Sequence, residues 1–377
     1  MVTVPPFCPN RNCQTHTESV DSSQPWFIRR GFRTTKAFGQ VPKFQCRHCR
    51  TGFSSQTFSI DYWVHRPISY QLVQNLLVGG SGTRQAGRTL GVSTRLLANR
   101  HLRLARTAMA LHADSLDEFS LTEPLVLDGF ESFAFSQYYP NNLNLLVAGD
   151  SQFVLGMTGT VLRRKGRMTK VQKILRGELE RAWKAPSNGI FQSCKKLFQY
   201  GCHLSFGSRR LPIEFRTDEK QEYGRAIGQL EPYGAWLEQG LVTHSTTSSK
   251  QARTLTNPLF PVNYLDRQLR KDLAEHVRES VRFARRIEHS LERAVIHLAH
   301  HNFRKKFRTK GRDELLTHAE VAGLERKRTL ELREKEFTDR AFGWRLNLES
   351  WQRSIWNREV GVPVHPVTPL PRHLLTA

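Results

Sequence analysis

The stretch from Leu125 to Phe133, LVLDGFESF, constrains the fold of this chain more than any other. Its apolar residues Leu125 to Leu127 end at an acid, Asp128, and a second acid, Glu131, follows three residues later. A short apolar run bounded by turn-forming residues is consistent with a buried strand. Such a strand can deliver a carboxylate to a metal site, but strand-end aspartates also cap turns. The stretch alone therefore leaves both interpretations of Asp128 open.

The segments after this strand predict the rest of a mixed sheet. Two further strand-like segments, NLNLLVAG and QFVLGMTGTVL, are separated by Gly149-Asp150-Ser151, as in a hairpin. Residues 170–184 have apolar side chains near helical spacing. Residues 213–216 read as a strand, 223–230 as a helix and 241–245 as a last short strand. Three strands, a helix, a strand, a helix and a strand match the order of a ribonuclease-H-like fold.

The ends of these strands carry candidate metal ligands. In a ribonuclease-H-like sheet the first and fourth strands are neighbours, so Asp128 and Asp218 are expected to project into one pocket. Two carboxylates there can hold two Mg²⁺ (or Mn²⁺) ions, which activate a nucleophile and stabilise the leaving oxygen. A third acid normally comes from a later helix. Asp266 is the first candidate, and Asp272 and Glu275 are alternatives.

Two pairs of cysteines lie near the N-terminus, Cys8 and Cys13 in CPNRNC and Cys46 and Cys49 in CRHC. Two pairs of thiolates on tight turns can converge on one tetrahedral Zn²⁺. The strand-like segments PWFIRRGFRTTK and VPKFQC between them predict a zinc ribbon, and so small a domain would need the structural metal to fold. The first pair is more widely spaced than a CxxC pair, and four unrelated free thiols are the alternative.

Residues 66–112 predict a helix-turn-helix. A short helix over Tyr70 to Leu77 precedes the breaker GGSG, Thr83 caps a second helix, and Gly91-Val92-Ser93 forms the turn before a longer helix from Thr94. The second and third helices carry side chains of the kinds used on bases and phosphates. The predicted DNA contacts are Arg84, Arg88, Arg95, Asn99, Arg100 and Arg103. An ordinary helical hairpin would give the same pattern.

The charge of the chain favours a polyanionic partner. The formal net charge is +23, and residues 1–110 hold 15 Lys and Arg against 3 Asp and Glu. A further basic run follows Asp266 and is expected to neutralise the phosphates of a bound strand. Its predicted contacts are Arg267, Arg270, Lys271 and Arg278. A solvated helix face, or a protein that is merely basic throughout, would also give such charges.

Several classes of protein are disfavoured by the sequence. No apolar run reaches the ~20 residues that span a bilayer, and the first ten residues lack the apolar core of a signal peptide. Six cysteines in 377 residues do not suggest a secreted disulfide scaffold. We therefore expect a cytoplasmic, nucleoid-associated protein without membrane contact. Double-stranded DNA is its expected partner.

From the cysteine pairs to about Phe307, the chain resembles the transposases of the insertion-sequence-one group and their relatives. The motifs that carry the resemblance are VPKFQCRHCRTGFSS, the helix-turn-helix, LVLDGFE, RTDEKQEY and LDRQLRKDLAEHVRESVRFARR. It implies Mg²⁺-dependent cleavage and strand transfer at the terminal inverted repeats of an insertion sequence, by a homo-oligomer on DNA. Asp128 and Asp218 take the two aspartate positions of the family, and Asp266 stands where a Glu is usual.

The predicted organisation is a multidomain α/β protein. It comprises a zinc ribbon (1–60), a helix-turn-helix (66–112), a ribonuclease-H-like core (120–310), a helical extension (311–361) and a disordered tail (362–377). The tryptophans of the extension, Trp344, Trp351 and Trp356, are expected to pack rather than stack on bases. Two other functions remain open: a non-catalytic DNA-binding regulator derived from a transposase, and a structure-specific nuclease that cuts without joining.

Overall fold

The computed structural model describes residues 4–17, 25–118, 121–207, 212–277, 281–311, 315–362 and 369–370. The described chain is a mixed α/β protein with one small antiparallel sheet and one larger mixed sheet. None of the helices in these ranges combines the length and apolar character needed to cross a membrane.

The small sheet lies in the cysteine-containing N-terminal region. Its antiparallel strands are β1 (Phe27–Thr35), β2 (Gly39–Cys46) and β3 (Gly52–Ser54). A bulge between Arg29 and Phe32 interrupts the β1–β2 pairing, and Gly31 there has a φ of 71°, which few residues other than glycine adopt. Most residues of β1 are exposed to solvent. The core of this region is therefore formed by the cysteines and a few aromatic rings.

Three helices follow, and they match the predicted helix-turn-helix order. They are α1 (Tyr70–Val78), α2 (Thr83–Thr89) and α3 (Thr94–Leu116). The hydroxyls of Ser69 and Ser93 accept from the backbone N–H groups of Leu72 and Leu96, so each serine caps the start of its helix. Helix α3 is 23 residues long, and most of these residues are buried.

The larger sheet has the strand order β6-β5-β4-β7-β8. Its strands are β4 (Leu125–Phe133), β5 (Pro140–Ala148), β6 (Val154–Val161), β7 (Ile213–Asp218) and β8 (Val242–Thr247). Strands β4, β5 and β6 pair antiparallel, whereas β7 is parallel to both β4 and β8. The prediction that the first and fourth strands of this sheet, β4 and β7, are neighbours is confirmed. Asp128 and Asp218 therefore lie on adjacent strands.

Helices cover both faces of this sheet. The helices of this region are α4 (Lys170–Ala182), α5 (Gly189–Gly207), α6 (Gln221–Ile227), α7 (Gly234–Glu238), α8 (Phe260–Asp272) and α9 (Ile287–Phe303), of which α4 buries no residue. Gly201 of α5 lies against Leu125 on one face of β4, whereas Arg270 of α8 lies over the Phe130 ring at 4.4 Å on the other. Because side chains alternate along a strand, Asp128 shares the face of Phe130 and α8.

The C-terminal region packs onto the same core. It contains α10 (His318–Val321), α11 (Arg326–Thr338) and α12 (Ser350–Trp356). One hydrophobic core runs from Ile60 to Trp356, so it continues across the boundaries predicted near residues 112 and 311. Trp351 and Trp356 are buried in it, which confirms their predicted packing role. Most of the tail predicted to be disordered, 363–368 and 371–377, lies outside the described residues.

Candidate functional site

Asp128 and Asp218 lie level with each other on neighbouring parallel strands. Val126 of β4 pairs with Arg216 of β7, and each aspartate is two residues further along its strand. A shift of two residues keeps a side chain on the same face of a sheet, so both carboxylates emerge on one side at one height. Their negative charges interact, and the charge of Asp218 contributes to a raised pKa at Asp128.

The surroundings of Asp128 make its carboxylate costly to ionise. Burial raises the pKa of Asp128, while the backbone N–H of Gly129 (2.7 Å) and the hydroxyl of Tyr223 (3.2 Å) both donate to Oδ1 and oppose the rise. Asp218 is held differently, since its Oδ1 accepts from the backbone N–H of Lys220 at 2.9 Å. One carboxylate is therefore largely desolvated, and the other closes the turn that follows β7.

Asp266 of α8 is the third predicted acid, and it lies on the same side of the sheet as Asp128. Burial and the negative charge of Asp128 together raise the pKa of Asp266 to about 8, against the opposing charges of Arg270 and Arg253. An electrostatic effect of this kind requires the two carboxylates to be close. The residue as a whole is only partly exposed.

The two alternatives for the third acid have other partners. His297 of α9 lies with Nε2 3.0 Å from Oδ2 of Asp272. Arg293 of α9 donates from Nε to Oε1 of Glu275 at 2.6 Å, and both side chains are buried. These acids attach the end of α8 and the turn after it to α9. Asp266 is the candidate whose pKa responds to the charge of Asp128.

The three predicted catalytic acids do not form a closed ligand set. Among the described residues, only the four cysteines bring the ligand atoms of three or more His, Cys, Asp or Glu residues within 4.8 Å of one another. Three carboxylates repel one another, so a wider spacing is expected for an arrangement held by protein contacts alone. Mg²⁺ also takes only a few protein carboxylates and completes its coordination with water and substrate phosphates.

The cysteine cluster has the geometry of a tetrahedral metal site. Sγ of Cys8 lies 3.5 Å from Sγ of Cys49, and Sγ of Cys13 lies 3.7 Å from Sγ of Cys46. Zn–S bonds of about 2.3 Å in a tetrahedron place the sulfurs about 3.8 Å apart. All four sulfurs lie within 4.8 Å of one another, so these cysteines could hold a metal such as zinc.

Four of the residues predicted to contact DNA line a basic groove of about 880 Å³ between helices α2 and α3 and the segment that follows α8. They are Arg84, Arg88, Arg95 and Asn99. The opposite wall carries Arg282, Arg285 and Arg286. Arginines from two distant parts of the chain therefore face the same groove.

Arg100 and Arg103 were also predicted to contact DNA, but neither lies on the exposed face of α3. Both side chains are buried, at 4% and 3% exposure. Arg100 donates from Nη2 to the backbone oxygen of Arg66 (2.9 Å), and Arg103 donates from Nη1 to that of Ile60 (2.7 Å). These hydrogen bonds attach α3 to the loop before α1. Neither guanidinium group can contact DNA unless its hydrogen bond to that loop breaks.

The basic residues of α8 differ in how accessible they are. Arg267 and Lys271 are exposed and remain predicted phosphate contacts. Arg270 is partly buried, and it donates from Nη1 to the backbone oxygen of His276 (3.3 Å) and lies over the Phe130 ring. Arg278 lies outside the described residues.

Two residues of the acid site were not predicted from the sequence. Tyr223 is fully buried and donates to Asp128, and Lys220 lies near enough to Asp128 to lower its pKa. Both belong to RTDEKQEY, directly after Asp218. A tyrosine five residues beyond a strand-end acid is the available signal, but only the tertiary structure shows that α6 turns back toward β4.

The family models and the curated proteins compared with this chain give no relative from which a role could be transferred. No protein-family model matches the chain, and no curated protein matches it significantly. Three features of this chain bear on its function. These are the acids at the strand ends, the cluster of four cysteines and the basic groove beside α3.

Proposed function

We propose that this protein is a DNA transposase that binds the terminal inverted repeats of an insertion sequence and catalyses Mg²⁺-dependent strand cleavage and strand transfer. One observation carries the proposal. Asp128 and Asp218 lie level at neighbouring parallel strands, and Asp266 is close enough to Asp128 for the charge of one to raise the pKa of the other. The strand order and the helices on both faces support a ribonuclease-H-like core.

The residues at this site fit divalent metal ions. Asp128 and Asp218 would be the principal ligands, and Asp266 would complete the acidic set. Mg²⁺ bound there would activate the attacking oxygen and stabilise the leaving one. The hydroxyl of Tyr223 fixes Oδ1 of Asp128, so the other oxygen of that carboxylate is left for the ion. The positive charge of Lys220 opposes the raised pKa of Asp128, and that of Arg270 opposes the raised pKa of Asp266.

DNA would lie along the basic groove. Arg84, Arg88 and Arg95 are exposed on the helix-turn-helix, and their charges would meet the phosphates of the inverted repeat. The cysteine cluster supports a structural zinc ribbon as a second DNA-binding element. Arg267 and Lys271 would contact the strand close to the acids.

The proposal is tested by incubating the protein with duplexes that carry the flanking inverted repeats, with Mg²⁺ or Mn²⁺, and separating the products on a denaturing gel. We expect nicking followed by joined products. Asp128→Asn should abolish both, because it removes a ligand charge, while end binding persists. Glu131→Gln is the matched control, since Glu131 is an exposed acid on the same strand.

Other outcomes would replace the proposal with one of its alternatives. Cleavage without joined products would indicate a structure-specific nuclease. End binding by the wild-type protein without any metal-dependent cleavage would indicate a regulator, in keeping with the shorter Asp266 at the usual position of a Glu. Normal cutting by Asp128→Asn would refute the assignment of the acid site.

A further inference from the structure

A second basic groove, of about 570 Å³, lies on the three-stranded sheet. Its lining includes Arg30, Arg33 and Lys43 of the sheet and Trp63 from the loop after the sheet. The described residues that line this groove include no aspartate or glutamate. The groove therefore has a positive potential with no acidic side chain in its walls to offset it.

Trp63 has an unusual conformation for a large apolar residue. Its side chain is 69% exposed, although its neighbours Tyr62 and Val64 are both buried. Its φ is 55°, in the left-handed region, where a bulky residue is an outlier that the surrounding structure must enforce. Packing of the protein interior does not account for a strained backbone that exposes an indole ring.

The loop that carries Trp63 is firmly held. The ring of the preceding residue, Tyr62, lies between two guanidinium groups, with Arg103 at 4.1 Å and Arg340 at 3.8 Å from its centroid. The backbone N–H of Tyr62 also donates to the oxygen of Ser59 at 2.9 Å. Trp63 is thus presented at the groove by contacts from α3 and from the chain that follows α11.

The charged groups of the groove are oriented by neutral partners. Arg30 donates from Nε (3.0 Å) and Nη2 (2.6 Å) to Oε1 of Gln45. Arg33 donates from Nη2 to Oε1 of Gln56 at 2.9 Å. An amide oxygen fixes the position of a guanidinium group without cancelling its charge, so further donors remain for an anion. Lys43 beside them is exposed.

We propose that this groove binds an unpaired stretch of DNA, with one base stacked on Trp63 and the adjoining phosphates at Arg30, Arg33 and Lys43. An indole ring can stack on a base only when a neighbouring base does not already cover that face, and single strands meet this condition. Clusters of cationic and aromatic side chains are the usual means of binding single strands without sequence preference. The choice of DNA over RNA rests on the proposed function, whereas the single-strand preference does not.

The test is the affinity for a dye-labelled thymidine oligonucleotide of about 12 nucleotides and for a duplex of equal length, by fluorescence anisotropy without divalent cations. Trp63→Ala should weaken single-strand binding about tenfold and change duplex binding less than about twofold, and Trp63→Phe should keep most of the affinity. Phe32→Ala is the matched control, because Phe32 is an exposed aromatic residue (63%) of the same sheet that does not line the groove.

A second variant separates binding from folding. Glycine adopts a φ of 55° without strain, so Trp63→Gly should unfold at no lower temperature than the wild type while losing single-strand affinity. Unchanged single-strand binding in Trp63→Ala would overturn the proposal. So would equal weakening in Phe32→Ala, or equal weakening of duplex and single strand. Asp128→Asn should bind the single strand normally. The binding measurement therefore distinguishes a failure of this proposal from a failure of the proposed catalytic function.

Discussion

Asp266 is a carboxyl group that folding makes harder to ionise. Its pKa is raised to about 8 by burial and by the charge of Asp128, whereas an aspartate in an unfolded chain titrates near ~3.9. The protonated form is therefore favoured in the folded chain. The stability that this difference contributes is fully present below about pH 4 and is lost as the pH rises through about 8.

Asp266→Asn should remove this pH dependence, because an amide does not ionise. Without Mg²⁺ at pH 9, we expect the free energy of unfolding of the variant to exceed that of the wild type by roughly 1 kcal/mol or more, so the variant should unfold at a higher temperature. The difference should shrink toward pH 5. Thermal unfolding should be followed in resin-treated buffers rather than with a chelator, which would also strip a metal from the cysteines. Parallel stability profiles for the two proteins would contradict the prediction.

At the scale of secondary-structure elements, α3 has two basic faces with different roles. Arg95 is exposed at the groove, whereas Arg103 is buried against Tyr62 and donates to the backbone oxygen of Ile60. Removing an exposed arginine weakens a phosphate contact, but removing a buried one leaves unpaired acceptors in the interior.

The two faces can be separated by a pair of substitutions. Arg95→Ala should weaken DNA binding and reduce the slope of log affinity against log salt concentration by about one. The unfolding temperature should stay unchanged. Arg103→Ala should destabilise the fold by about 2–4 kcal/mol, since it removes a buried network. Salt-dependent binding and denaturant unfolding measure the two effects. An unfolding free energy unaltered by Arg103→Ala would contradict this division of α3.

The sequence predicts the elements well and their tertiary contacts poorly. The strand over Leu125 to Phe133 and the helix starting at Thr94 are found at these residues because apolar runs and serine or threonine caps are local signals. The burial of Arg103 depends on a loop 43 residues away, which no local pattern encodes. Likewise, only the contacts of Asp272 and Glu275 with α9 separate them from Asp266.

At the scale of the whole molecule, the described residues form one large hydrophobic core, one small core around the cysteines and a minor cluster of Tyr62 and Leu102. The large one includes the mixed sheet and the C-terminal helices, whereas the small one consists of cysteines with Trp26 and Phe53 packed against them. Phe7 joins the two regions by edge-to-face contacts with Phe342 (5.1 Å) and Trp344 (5.8 Å). Because the small core has so few large side chains, its stability should depend on a metal held by the cysteines.

Replacing one cysteine should therefore unfold only the small sheet. Cys46→Ser is expected to lose about one bound zinc per chain and to accelerate amide hydrogen exchange across β1 and β2, because the tetrahedral ligand set is broken. Exchange in β4 should stay slow, since its core is separate. Cys202→Ala is the matched control, as Cys202 is a buried thiol outside the cluster. Full zinc content in Cys46→Ser would refute Cys46 as a zinc ligand. Equally faster exchange in β4 would show that the two cores do not fold independently.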